Sequence, residues 1–94
     1  MKPAYRLKMK YVESENPETV RIYNMVNDAC DRFNIYLMDF FETLDILEEK
    51  KRNGNSDDET DKSIDSVKSR IEEVTAAMKD IASTMPTIVE LIEE

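Results

Sequence analysis

The stretch YNMVNDACDRFNIYLMDFFETLDIL, residues 23–47, decides the fold. Its apolar residues Tyr23, Val26, Cys30, Phe33, Leu37, Phe40, Leu44 and Leu47 recur in alternating steps of three and four, the spacing of one helix face. After a polar gap the rhythm resumes in Ile64, Val67, Ile71, Val74, Met78, Ile81, Met85, Ile88 and Ile92. Counted outward from the gap, the two series mirror each other. Leu47 stands opposite Ile64, Leu44 opposite Val67, Phe40 opposite Ile71, and the match runs on to Tyr23 with Ile88. One reversal between Asn55 and Ser56 closes the whole register. The pattern predicts a mainly α protein, a long antiparallel helical hairpin joined by a continuous apolar seam.

Local signals place the ends of the two helices. Asn16 can cap, Pro17 suits the first helical position, and Glu18 favours the positive end of the helix dipole. Lys50, Lys51 and Arg52 complement the negative end, and Asn53-Gly54 supplies a left-handed stop, so the first helix spans about 17–52. Ser56-Asp57-Asp58-Glu59 reads as a capping box that opens a second helix of about 57–93. Pro86 falls inside it and predicts a kink or break there. The phase kept through Met85, Ile88 and Ile92 favours a kinked helix that continues; the alternative is a break near Ser83-Thr84, with Pro86 opening a short third helix.

Residues 1–13 form a separate arm ahead of the hairpin of 14–94. Tyr5, Leu7, Met9 and Tyr11 alternate with Arg6, Lys8 and Lys10, a strand signal with one apolar and one basic face. A lone strand leaves its backbone groups unpaired, so the arm requires a partner strand, expected from a second copy of the chain or from another protein. Apolar residues also lie off the seam: Ile22, Met25, Ala29, Ile35, Tyr36, Met38 and Phe41 in the first helix, and Ala76, Ala77, Ala82, Val89 and Leu91 in the second. Between Ile35 and Phe41 the first helix is apolar nearly all round, which predicts cover on more than one side. The expected solution is a homodimer forming a four-helix bundle with these off-seam residues at the interface, Ile35, Tyr36, Met38 and Phe41 and the arm residues Tyr5, Leu7, Met9 and Tyr11 being the interface candidates; the alternative is that the band binds a different protein.

The residue inventory limits chemistry. The chain has no histidine, one cysteine and one glycine, Gly54. It therefore lacks the usual general base, a Cys/His zinc set and a phosphate-binding glycine loop. Asp57-Asp58-Glu59-Thr60-Asp61 lacks the central glycine and closing glutamate of a calcium loop. No catalytic residue, metal or cofactor is expected. Cys30 lies on the seam and reads as a small core residue. A single thiol, no apolar run of membrane-spanning length and no signal peptide point to a cytoplasmic protein with no membrane partner.

Charge supplies the functional expectations. Acidic residues outnumber basic ones 21 to 13, a net charge of -8, yet Lys2, Arg6, Lys8 and Lys10 sit in the first twelve residues with no acid among them. A basic arm thus precedes an acidic body. The expected function is a non-catalytic protein–protein interaction module, an acidic inhibitor or regulator that occupies a partner handling nucleic acid, with Asp65, Glu72, Glu73 and Asp80 on the acidic surface. One alternative is a dimeric DNA-binding regulator of ribbon-helix-helix layout, with Arg6, Lys8 and Lys10 entering the major groove. That layout needs a turn near Phe33-Asn34, which the unbroken phase opposes, and the acidic body would repel DNA, so direct nucleic-acid binding is not expected. A structural or assembly adaptor is the other alternative.

Overall fold

A computed structural model of the chain describes residues 2–10, 13–54 and 57–93. Strand β1 (Tyr5–Met9) leads into helix α1 (Pro17–Arg52), helix α2 (Asp58–Thr84) runs back along it, and strand β2 (Val89–Glu93) follows. The molecule is a rod of 58 × 20 × 19 Å. Among the described residues no helix is long and apolar enough to cross a membrane.

The helical hairpin forms as the seam predicts. Asn16 caps α1, its side chain accepting from the backbone N–H groups of Glu18 (2.9 Å) and Thr19 (3.3 Å), and Pro17 opens the helix. The helix ends at Asn53 as expected, and Gly54 takes a positive φ of 76°, which a side chain would resist. Near the tip Lys51 pairs with Asp61 at 3.1 Å, and Thr43 and Leu47 line one hollow with Ser63, Ser66 and Val67. These neighbours agree with the mirror register. The reversal itself, between Asn55 and Ser56, lies outside the described residues.

Helix α2 departs from expectation at both ends. It begins one residue late, capped by Asp57 in place of Ser56, which lies outside the described residues. The Asp57 carboxylate accepts from both the backbone N–H (2.7 Å) and the hydroxyl (2.8 Å) of Thr60, which is itself buried. These two bonds, the backbone one first, hold the Asp57 carboxyl below its ordinary range.

The other end is a correction. The second helix breaks at Thr84, where the alternative reading places the break, but it does not run on, kinked, to 93, and no third helix follows among the described residues. A residue before proline is pushed out of the helical region, and Met85 adopts φ -124°, ψ 58°. A turn follows, in which Ile88 and Val89 both donate to the Met85 carbonyl (3.1 and 2.9 Å). The chain then extends as β2. Ile88, Val89, Leu91 and Ile92 are dense enough in apolar side chains to fit period two as well as three-four. An available strand edge decides between them.

That edge belongs to β1, so the arm's partner is the chain's own C-terminal segment and neither a second copy nor another protein. The strands pair antiparallel, Tyr5 with Glu93, Leu7 with Leu91 and Met9 with Val89. Lys10 extends the ladder, its N–H donating to the Ile88 carbonyl at 2.7 Å. On the other edge of β1 the Asn34 side chain, midway along α1, stands in for a third strand. Its Oδ1 accepts from the Leu7 N–H and its Nδ2 donates to the Leu7 carbonyl, both at 2.8 Å. Leu7 and Val89 thereby join Cys30, Leu37 and Met78 in the buried core, with Phe33, Ile71, Val74 and Ile81 packed around them. Lys79 of α2 places its ammonium 4.7 Å from the Tyr5 ring centroid.

Three variants test this construction. Asn34→Ala leaves two backbone groups of Leu7 without partners and should cost about 1–3 kcal/mol in chemical denaturation. In N34D the new carboxylate accepts from the Leu7 N–H but cannot donate to the carbonyl. N34D should therefore be less stable than wild type at neutral pH and recover toward it in acid, where the protonated carboxyl can donate to the Leu7 carbonyl as the amide does. At the other end of the rod, Asp57→Ala should lower the melting temperature at neutral pH. Because the Asp57 carboxyl is held low when folded, its contribution is present above the ordinary carboxylate range and fades as pH falls through the folded value, so the two proteins should converge in acid.

Candidate functional site

Turning about 100° per residue, α1 carries a row on each side of its seam. The row one residue after the seam, Asn24, Asn27, Asn34, Met38 and Phe41, faces the ribbon. Asn34 binds Leu7, Asn24 and Asn27 border a hollow with Lys8, Met9 and Lys10, and Met38 borders another with Pro3, Tyr5 and Arg6. The row one residue before the seam, Ile22, Met25, Ala29, Arg32 and Tyr36, lies on the face away from the ribbon. No described strand covers that face. Ile22 is 56 % exposed, Met25 65 % and Tyr36 54 %. Around the small side chain of Ala29 the surface dips into an open hollow bordered by Met25, Asp28, Arg32, Phe33 and Tyr36.

The large exposed apolar residues among those described all belong to α1: Val20, Ile22, Met25, Ile35, Tyr36, Met38 and Ile46. Helix α2 contributes none. One helix thus shows apolar side chains to the outside, while the other shows charge.

The interface candidates do not form one patch. Tyr36 stands on the far face, Ile35 beside it on the outermost side of the rod, and Met38 on the ribbon side; all three are exposed. Phe41 and Tyr5 are half-buried against the core, Leu7 is buried within it, Met9 is half-buried, and Tyr11 lies outside the described residues. The arm's apolar face is therefore spent on the chain's own core. The sequence places Ile22, Met25 and Ala29 at the expected interface with the whole off-seam band, without separating them from Met38 and Phe41 on the ribbon side. The signal was available: they recur three and four apart, one residue ahead of the seam.

The charged candidates separate as well. Asp65, Glu72, Glu73 and Asp80 are all exposed on α2, but Lys62, Lys68, Arg70 and Lys79 alternate with them. On β1, Lys8 stands opposite Glu90, Arg6 opposite Ile92, and the Lys10 ammonium donates to the Pro86 carbonyl at 2.6 Å. Helix α1 runs unbroken through Phe33-Asn34 and β1 pairs within its own chain, so the ribbon-helix-helix layout is not formed.

No group of three or more His, Cys, Asp or Glu side chains among the described residues is placed to hold a metal ion. Cys30 is 3 % exposed, and burial, with the neighbouring Asp31 carboxylate second, pushes its thiol pKa up. Comparison with protein-family models, with curated proteins and with solved structures finds no match.

A buried thiol kept in its protonated form is a poor nucleophile. Cys30 should react with a disulfide reagent far more slowly in the native protein than in guanidinium, as followed by thiolate release; equal rates would remove it from the core.

Proposed function

We propose that this protein is a non-catalytic protein–protein interaction module whose contact surface is the uncovered face of α1, centred on Met25, Ala29 and Tyr36. The observation that carries the reading is the asymmetry between the helices. Large apolar side chains remain exposed on α1 alone among the described residues, in a chain with 36 % charged residues. Apolar residues aligned on one helix face, with charges around them, mark an association surface more often than accident does. The ribbon covers the opposite face, so the helical pair has one face left to offer. The alternation of Lys and Arg with the acids of α2 supplies no unbroken acidic stripe, and occupation of a basic nucleic-acid channel finds less support than contact through α1.

A photo-crosslinking amino acid at Met25 or Tyr36, expressed in the source cell, should give a discrete covalent protein adduct. The same group at Lys68 on α2 should give none. Adducts absent from both α1 positions, or equal at all three, would contradict the reading.

A further inference from the structure

We infer that the uncovered face of α1 receives the same face of a second copy of this chain, the two α1 helices crossing antiparallel about a two-fold axis near Ala29. This rests on the interaction-surface reading above and names its occupant. The face is self-complementary. An isologous interface requires one patch to match itself when reversed end to end. Read in order, the row is Ile22, Met25, Ala29, Arg32, Tyr36, and Asp28, one turn before Arg32, borders the same hollow from the outer side of the rod. Reversed on itself about its middle, Asp28 comes level with the partner's Arg32, and Arg32 with the partner's Asp28. Met25 and Ile22 come level with the aromatic end of the row at Tyr36, and Ala29 lies closest to the axis.

Each part then has a physical role. Ala29 lets the two backbones approach, and its hollow, bordered by Met25, Asp28, Arg32, Phe33 and Tyr36, admits a side chain from the facing helix. The partner's Arg32 fits that space, its aliphatic stem over Ala29 and its guanidinium reaching Asp28. Asp28 and Arg32 are both exposed, and neither takes part in an ion pair among the described residues, so both remain available. The symmetry forms the charge pair twice. The ribbons lie on the outer sides of such a dimer, and the helices make its middle.

The test exchanges charges and uses the full chain. In D28R each symmetric contact brings cation to cation, and in R32D carboxylate to carboxylate. Each variant alone should self-associate at least about tenfold more weakly than wild type in sedimentation equilibrium, since facing like charges are costly. In an equimolar mixture both contacts again join opposite charges, and association should return to within a few-fold of wild type. Circular dichroism of each variant should match wild type, and the same exchange in D65R and K68D, away from this face, should leave association unchanged. A wild type that stays monomeric to millimolar concentration overturns the inference, as does a mixture that associates no better than its components. If the wild type is monomeric while the Met25 crosslink yields an adduct of a mass other than two copies, the occupant is wrong and the contact surface stands. If neither association nor crosslink appears, both fail.

Discussion

The structure depends on how one short strand satisfies its backbone. Residues Tyr5–Met9 carry donors and acceptors on two edges, and no neighbouring segment in sequence can pair with them. β2 supplies one edge and the Asn34 amide the centre of the other. The long hairpin makes this possible. An antiparallel helix pair returns the end of α2 to the N-terminal half of α1, where the turn at 85–88 sets β2 beside β1. Pro86 converts what would be a last helical turn into the bend that the pairing requires. The ribbon in turn presses Leu7 and Val89 onto Cys30, Leu37 and Met78 and seals one face of the helices.

Sealing one face defines the other. The seam consumes the facing sides of α1 and α2, and the ribbon consumes the row that includes Asn34. What remains on α1 is the row of Ile22, Met25, Ala29 and Tyr36, which a helix written only for water would fill with charge, as α2 does. The apolar excess between Ile35 and Phe41 thus has two explanations in one segment. Phe41 serves the chain's own core; Tyr36 does not.

The helical hairpin was legible in the sequence because its information is local and periodic. The seam, the Asn16 cap and the Gly54 stop each rest on spacing or on one residue's backbone preference. β2 was not legible. Its apolar residues satisfy both periods, and strand pairing is a contact between opposite ends of the chain that no window contains. Asn34 was missed for the same reason: on a helix it reads as a neutral polar residue, and only the proximity of Leu7 gives it a function. Of the candidate surface, Tyr36, Ile35 and Met38 were expected to be covered by a partner; in the single chain all three are exposed. Ile22, Met25 and Ala29 became a face only once the ribbon's position showed which side of α1 it leaves uncovered. The acids of α2 were visible as a composition but not as an arrangement, because alternation with lysine and arginine becomes plain only when the helix is placed.

The central claim is that the two ends of one chain close on each other as a ribbon. Leu7 directs both its backbone groups to Asn34, so Leu7 and Leu91 form a non-hydrogen-bonded antiparallel pair, whose α-carbons approach closely. The direct measurement is the nuclear Overhauser effect between the Hα protons of Leu7 and Leu91 in labelled protein diluted into an excess of unlabelled chain. The account predicts a strong cross-peak that survives dilution unchanged, because both protons belong to one molecule. A cross-peak seen only between labelled and unlabelled chains, or its absence together with helical sequential contacts across residues 88–92, would contradict it.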